Sequence, residues 1–373
     1  MKNLKTIMAA ITLLCVATGC EKNSDISSGT APQNQAGTIS ARHSHGTDYK
    51  QVNLVSDIAG FGAGRTDATL NNPWGIAFGE NGALWISCNH TGSAVIYDRN
   101  GAQLMQPIAI PFGGLLNGSS PDGVVFNNTQ NFVIPLNGKK SHFIFSTEDG
   151  IVSAWNSGDS TITVADRSAT GAVYKGIALG NDHGANFLYV TNFNATTIDV
   201  YDKSFNLVSM PFSDPTIPPG FAPFNIANIG GQLYVTYALQ NGLKHDDVSG
   251  PGNGYINIFN TDGTFVKRFA SQGTLNSPWG ITQADDEFGQ GKNAILVGNF
   301  GDGRINVFDA SGTFKGQLQD DGNPITIQGL WTVAFAPDRD GNRDRRESGS
   351  DRLFFTAGPG GESHGIFGYL NKE

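Results

Sequence analysis

The chain has 373 residues, of which 49 are glycine and only 15% are charged. Short strands joined by glycine-rich turns give this balance and helical bundles do not, so an all-β fold is expected. The formal net charge of −9 argues against nucleic acid as a partner, because the chain has no basic surface to displace counterions from phosphate.

The first residues have the pattern of a targeting segment. Two lysines precede an apolar stretch at 7–16, which is too short to span a bilayer as a helix and leads into small residues before Cys20. This ending resembles a bacterial lipoprotein cleavage box, and an ordinary secretory signal is the alternative. The pattern predicts a signal peptide over 1–19, a lipid on Cys20, and a bacterial outer-membrane lipoprotein that faces the periplasm or the cell surface.

A flexible tether is expected over residues 20–48, which are rich in Ser, Asn, Gln, Gly and Thr and nearly free of large apolar side chains. The folded body is then expected over 49–373. It contains one cysteine, Cys88, at the end of an apolar strand. Cys88 is predicted to be a small buried filler rather than a nucleophile, and the body must rely on its packed core instead of a disulfide.

The folded body repeats one phrase. Asn-Pro-Trp-Gly-Ile at 72–76 returns as Ser-Pro-Trp-Gly-Ile at 277–281 and, in a weaker form, at 330–333. Each copy is followed by an apolar strand, a second strand that ends in small and polar residues, and a third that ends in an aromatic residue. A unit of this size cannot bury its own apolar faces, so it must stack on copies of itself.

Six such units follow one another along the chain at intervals of roughly 50 residues. They open at Trp74, Pro121, Tyr174, Pro223, Trp279 and Trp331. Their second strands are predicted near 84–86, 143–145, 188–190, 233–235, 295–297 and 353–355, and the second unit carries an extra hairpin at 137–138. In most units a turn leads from the third strand to a fourth, and four strands per unit is propeller geometry.

The sixth unit ends after three strands, and residues 51–55 can supply the fourth. This pairing would close the ring and remove an exposed edge. The fold expected is therefore a six-bladed β-propeller of four-stranded blades, whose last blade is completed by an N-terminal strand. A pair of β-sandwiches is the alternative fold, but it does not explain why the opening phrase recurs.

Several phrases also carry a family resemblance, namely 53–57, 147–150, 174–180, 244–248, 250–254 and 298–303. Together they resemble an uncharacterised family of bacterial secreted six-bladed propellers, which is similar to the NHL and gluconolactonase-like propellers. Many members of that family end in a PEP-CTERM sorting tail, whereas this sequence ends at Glu373 and has Cys20 near its start. The resemblance implies an exported propeller and no particular activity.

Propeller topology directs the search for a site to one face. The loops between second and third strands, and those that lead into each blade, open on the same side, where ligands usually bind at the channel mouth. The strand-end candidates are Asn89, His90, Glu148, Asp149, Asn192, Tyr237, Asn299, Asp302, Glu362 and His364. The candidates at the start of the blades are Trp74, Asp122, Lys175, Asn225, Trp279 and Trp331. Ordinary turn chemistry and packing between blades is the alternative for each of them.

A metal site is one interpretation of the strand ends. Glu148, Asn192 and Asn299 occupy equivalent places in three blades, and one carboxylate with amide oxygens suits a hard cation such as Ca²⁺. Gluconolactonase-like propellers hold a divalent metal with a broadly similar set, although the ligand positions within the blade differ here. A second acidic run, 338–344, resembles a calcium loop, but its glycine is misplaced, two arginines interleave and the final glutamate is absent, so a solvated loop is favoured there.

The longest loop between a second and a third strand, at 239–253, contains Lys244, His245, Asp246 and Asp247. His245 beside two carboxylates can be a metal ligand or a general base, and His364 on the same face is the other catalytic candidate. A solvated lid closed by Asp–Lys pairs is the alternative. The sequence contains neither a Gly-x-Ser-x-Gly elbow nor a His-Glu-x-x-His helix.

Two functions follow from these candidates. The favoured one is a binding module at the cell envelope that presents its channel mouth to a small molecule, a glycan or a protein, with Trp74, Trp279 and Trp331 as flat apolar surface. The alternative is a divalent-metal-dependent hydrolase or lactonase, in which the cation polarises a carbonyl and His245 or His364 moves the proton.

Overall fold

The computed structural model describes residues 47–284, 288–337 and 352–373. The chain divides by its contacts into Met1–His43 and Ser44–Glu373, and all the described residues belong to the second unit. The predicted signal peptide, the lipidation site Cys20 and the run 338–344 lie outside the described residues. Within the described ranges, no helical segment has the length and hydrophobicity that crossing a membrane requires.

The described residues confirm the expected all-β propeller with six blades. The strands that precede blade 1 are β1 (Tyr49–Ser56) and β2 (Arg65–Thr66). Blade 1 consists of β3 (Pro73–Phe78), β4 (Leu84–Cys88), β5 (Ser93–Tyr97) and β6 (Gln103–Ala109). Blade 2 consists of β7 (Pro121–Phe126), then a side hairpin of β8 (Val133–Ile134) and β9 (Lys139–Lys140), then β10 (Phe143–Thr147), β11 (Ile151–Trp155) and β12 (Ile162–Asp166).

The remaining blades follow the same order. Blade 3 consists of β13 (Tyr174–Asp182), β14 (Ala185–Asn192), β15 (Thr197–Tyr201) and β16 (Leu207–Val208). Blade 4 consists of β17 (Phe221–Ile229), β18 (Gln232–Leu239), β19 (Tyr255–Phe259) and β20 (Phe265–Ser271). Blade 5 consists of β21 (Pro278–Gln283), β22 (Ile295–Asn299), β23 (Ile305–Phe308) and β24 (Phe314–Gln317). A short hairpin of β25 (Gln319–Asp320) and β26 (Asn323–Pro324) leads to blade 6, with β27 (Leu330–Phe335), β28 (Arg352–Ala357) and β29 (Ile366–Lys372). Two short 3-10 helices span Asn89–Thr91 and Ser168–Thr170.

The innermost strands β3, β7, β13, β17, β21 and β27 contact one another in that order, and β27 contacts β3, so they form a closed ring. Strand β1 pairs antiparallel with β29, which makes it the fourth strand of blade 6. The ends of the described body are thus joined within one sheet, and the pairing covers an edge that would otherwise be exposed.

Hydroxyl groups on the second strands join neighbouring blades. In blades 1, 2, 3 and 6 a serine or threonine donates a hydrogen bond to a backbone carbonyl on the innermost strand of the next blade. The pairs are Ser87 with Asp122, Ser146 with Lys175, Thr191 with Phe224, and Thr356 with Trp74. Gly75 makes the same close approach possible, since a Cβ there would lie 2.6 Å from the carbonyl oxygen of Asp122.

Apolar side chains from adjacent blades form the cores between the sheets. Cys88 is fully buried in one of them, as predicted, and burial raises the pKa of its thiol. Tyr237 is buried in another, between blades 3 and 4, with an elevated hydroxyl pKa caused by burial. Tyr237 therefore belongs to the packed interior and lines a side cavity, together with Asp214 and Pro223.

Candidate functional site: an acidic mouth over an aromatic plug

One residue at the start of each innermost strand points toward the others near the ring axis. A register shift interrupts this strand in every blade, for example between Pro73 and Ile76, and such a bulge redirects a side chain. We call the six residues at this position the axial residues. They are Trp74, Asp122, Lys175, Phe224, Trp279 and Trp331. In blade 4 the position belongs to Phe224 and not to the predicted Asn225, whose side-chain amide donates to the carbonyl of Trp279.

The four aromatic axial residues form a plug. The rings of Trp74 and Trp331 stack with their centroids 3.4 Å apart, and Trp279 meets Trp74 edge-on at 4.8 Å. All three indoles are buried, with at most 3% of each residue exposed. The prediction that these tryptophans present a flat apolar surface is therefore wrong, because each ring is covered by the others and by Phe224. Below the plug the channel is a cavity of about 510 Å³ lined by the innermost strands.

The two charged axial residues form a buried ion pair beside the plug. The Lys175 ammonium lies 4.7 Å from the centre of the Trp74 ring, donates to Glu148, and is 3.8 Å from Asp122 Oδ2. The Asn89 amide donates to both carboxylates, at 2.7 Å to Asp122 and 2.9 Å to Glu148. Only 1% of the Lys175 side chain is exposed, so these contacts replace water around its charge.

The two carboxyls of this group have pKa values shifted in opposite directions. Burial alone would raise the pKa of Glu148, but the neighbouring Lys175 outweighs it and holds that pKa below its usual value. Burial, followed by the charge of Glu148, raises the pKa of Asp122 well above its usual value. Burial alone would lower the pKa of Lys175, yet Glu148 and Asp122 raise it. Lys175 is therefore a protonated cation whose closest partner is the ionised Glu148, and it has no role as a base.

Further carboxyls surround this ion pair. Burial raises the pKa of Asp247 and Glu362, and Glu362 is also repelled by Glu148 and Asp247. Asp246 adds a negative charge close enough to raise the pKa of Lys175. We call Asp122, Glu148, Asp246, Asp247 and Glu362, grouped around Lys175, the acidic mouth. It sets five carboxyls against one buried ammonium.

Asn72 connects the acidic mouth to the plug. Its side-chain oxygen accepts from the Trp331 indole at 2.9 Å, and its amide nitrogen donates to Glu362 at 2.9 Å. His90 lies beside it, with Nε2 at 3.4 Å from the Asn72 amide nitrogen and Nδ1 at 3.0 Å from Asn71. The repeated phrase thus places a fully buried asparagine, Asn72, two residues before Trp74. Sequence reasoning missed this role because asparagine there resembles a turn residue.

The structure does not support the predicted ion shared by Glu148, Asn192 and Asn299. The side-chain oxygen of Asn192 accepts from the backbone N–H groups of Val173 and Ala195. The side-chain oxygen of Asn299 accepts from the N–H of Asn276. These bonds brace the loops of their own blades, as turn chemistry predicts. Asp302 likewise accepts from Asn299 and from the N–H of Arg304, and Asp149 accepts from Ser119 and the N–H of Ser120.

The two candidate catalytic histidines have separate partners. His245 Nδ1 lies 2.7 Å from Asp246, and this pair approaches Glu148. His364 Nδ1 lies 3.0 Å from Asp57, a buried residue that follows β1. Lys244, on the same loop as His245, is exposed. The loop between β18 and β19 therefore reaches the mouth with its histidine and its acids, while its lysine faces solvent.

Comparisons with known proteins place the chain in a family. An uncharacterised protein of Acanthamoeba polyphaga mimivirus is 37% identical over 343 residues, covering 88% of this chain and 81% of its own length. A second uncharacterised protein of the same virus is 38% identical over 287 residues, covering 73% of this chain and 75% of its own. The chain belongs to the family of these mimivirus proteins. No family model matches the sequence.

Solved structures confirm the propeller architecture. The soluble aldose sugar dehydrogenase of Escherichia coli superposes with a TM-score of 0.54 at 15% identity, over 87% of this chain and 100% of that one. Virginiamycin B lyase from Staphylococcus aureus gives 0.52 at 14% identity, over 87% and 99%. At this level of identity the likeness shows the fold alone. The mimivirus relatives give no support to a bacterial origin or to a PEP-CTERM family.

Proposed function

We propose that this protein is a binding module and that its acidic mouth binds a ligand carrying positive charge, such as a basic segment of a partner protein or a small polyamine. The observation that carries the proposal is the imbalance of charge, five carboxyls around one buried ammonium. A partly buried cluster of charges of one sign concentrates counter-ions and attracts oppositely charged ligands.

The raised pKa values of Asp247 and Glu362 support this proposal. Burial is the main cause for both, and repulsion from neighbouring carboxylates adds to it at Glu362. A cation that enters the mouth favours their ionised form and lowers these pKa values. At pH values where these carboxyls are partly protonated, ligand binding is therefore expected to release protons, which buffers of different ionisation enthalpy detect in calorimetry.

The experiment uses tetralysine and spermine as probes. Their affinities are measured by calorimetry for the native chain, for a Glu362→Gln/Asp247→Asn variant, and for a Glu80→Gln/Asp159→Asn control that removes the same charge from exposed positions elsewhere. The mouth variant should bind at least tenfold more weakly, about 1.4 kcal/mol, and the control should match the native chain. Equal loss in both variants, or no binding by the native chain, would refute the proposal.

The predicted ligands of the metal-dependent hydrolase alternative have other partners. The side-chain oxygens of Asn192 and Asn299 accept hydrogen bonds within their own blades. Of its two candidate bases, His364 is tied to Asp57 and His245 to Asp246. We therefore propose binding and not hydrolysis.

We further propose that the protein acts at a bacterial cell envelope and is anchored by a lipid on Cys20. The support is the sequence of residues 1–20 alone, with its apolar stretch and the small residues before the cysteine. Expression in a bacterial host with a labelled fatty acid should label the native chain and place it in the membrane fraction. Cys20→Ala should abolish the label, and a native chain without label would contradict the anchor.

A further inference from the structure

Potential metal ligands from two blades meet at the edge of the acidic mouth. Glu148 follows β10 in blade 2, while His245 and Asp246 lie on the loop between β18 and β19 in blade 4. Each offers one ligand atom, and these atoms lie within 4.8 Å of one another. Zinc sites of this kind are tetrahedral, and with bonds of about 2.1 Å their ligand atoms are about 3.4 Å apart. A contraction of up to about 1.4 Å would therefore bring the set to coordination distance.

The two loop residues can make that movement, since 44% of the His245 side chain and 61% of the Asp246 side chain are exposed. Glu148 is the fixed member, because Lys175 and Asn89 already hold its carboxylate. An ionised carboxylate has about four acceptor positions, so these hydrogen bonds leave room for a metal bond.

A second observation also points to a missing positive charge. Asp122 is fully buried beside the same lysine, and its Oδ2 atom has no hydrogen-bond partner. The nearest cation, Lys175, is 3.8 Å from it. One ammonium is shared between Asp122 and Glu148, and a nearby dication would add a second positive charge beside the unpartnered oxygen. The ammonium repels such an ion, which sets an upper limit on its affinity.

The donor set selects the class of metal. Calcium prefers six to eight oxygen ligands, and Glu148, His245 and Asp246 supply two carboxylates and one imidazole. Imidazole with carboxylates suits zinc and similar first-row ions, which take three protein ligands and leave one position open.

We propose that Glu148, His245 and Asp246 bind a divalent ion of the zinc class, which fastens the loop of blade 4 to blade 2 across the acidic mouth. The proposal rests on the proposed function, because the ion would be one of the cations that this mouth binds. It replaces the predicted calcium site at Glu148, Asn192 and Asn299 with a different ligand set. The open coordination position would face the mouth and be free for a donor atom of the ligand.

The chain contains a matched control for this site. Asp182 and His183 form the same kind of neighbouring pair, with His183 Nδ1 at 3.0 Å from Asp182, and 90% of the His183 side chain is exposed. The cluster around Glu148 does not include this pair. The full chain, without a polyhistidine tag and freed of metal by chelator, is titrated with ZnCl₂ and separately with CaCl₂. The variants are His245→Ala, Glu148→Gln and His183→Ala.

The native chain and His183→Ala should each bind one equivalent of Zn²⁺ in preference to Ca²⁺, and His245→Ala should bind it at least tenfold more weakly. Zinc should also slow proteolysis within 239–253 of the native chain but not of His245→Ala, which alters an exposed loop and leaves the folded body intact. Equal binding by native and His245→Ala, or loss in His183→Ala, would overturn the site. Tetralysine binding distinguishes the two proposals. If His245→Ala still binds tetralysine, the proposed cation-binding function stands even where zinc binding is lost.

Discussion

Replacing Lys175 tests the electrostatic account of the mouth most sharply. Lys175→Met keeps an unbranched apolar stem and removes the charge, which leaves Glu148 and Asp122 facing each other without the ammonium. The lysine side chain is 1% exposed and those of its partners are 13% and 0% exposed, so water cannot take its place. Breaking a buried ion pair in this way costs about 3–5 kcal/mol. The melting temperature should fall by roughly 4–7 °C.

The assay is urea unfolding at pH 7.5 and pH 5. Without Lys175 the pKa of Glu148 rises, so both carboxyls can take up protons in the folded state as the pH falls. The free energy of unfolding that Lys175→Met loses relative to the native chain should therefore be larger at pH 7.5 than at pH 5. Lys175→Met/Glu148→Gln should recover much of the loss, and Lys203→Met, at an exposed site, should lose little. A deficit below about 1 kcal/mol, or one equal at both pH values, would refute the reasoning.

Three further predictions concern the scaffold. Thr356→Val leaves the buried carbonyl of Trp74 without its donor and should cost about 1–3 kcal/mol in urea unfolding, whereas the exposed Thr66→Val should cost little. Burial alone would raise the pKa of Asp214, but its hydrogen bond with Arg268 holds that pKa below the usual value. The pair therefore stabilises the fold at pH values above the pKa of an unfolded aspartate. This stabilisation is lost as the pH falls through the lower pKa that Asp214 has in the folded state. Asp214→Asn should therefore destabilise by about 2–4 kcal/mol at pH 7 and by less at pH 3, and an equal loss at both would contradict the pair. Cys88 should resist thiol reagents until urea unfolds the chain, and rapid labelling of native protein would contradict its burial.

The repeat made the fold predictable. The tryptophan phrase marks strand starts, and the alternation of short apolar segments with glycine-rich turns fixes four strands in each blade. The face of the candidate site was also predictable, since topology places the loops of Glu148 and of His245 on one side of the ring.

The side-chain partners could not be read from the sequence. The sequence does not show whether Trp74 and Trp331 face solvent or stack on each other across the ring axis, as they do. The buried ion pair had a usable signal: where other blades place an aromatic residue, blades 2 and 3 place Asp122 and Lys175. Opposite charges at one aligned axial position of adjacent repeats indicate a pair. The sequence also could not show that the side-chain oxygens of Asn192 and Asn299 accept hydrogen bonds from their own loops.

The central claim is that the acidic mouth is where a cationic ligand binds. Hydrogen–deuterium exchange with and without tetralysine tests it directly. Exchange should slow in the loops at 239–254 and 358–365, and it should stay unchanged in the loops of the opposite face at 79–83 and 181–185. Protection confined to the opposite face, or absent from both, would contradict the claim.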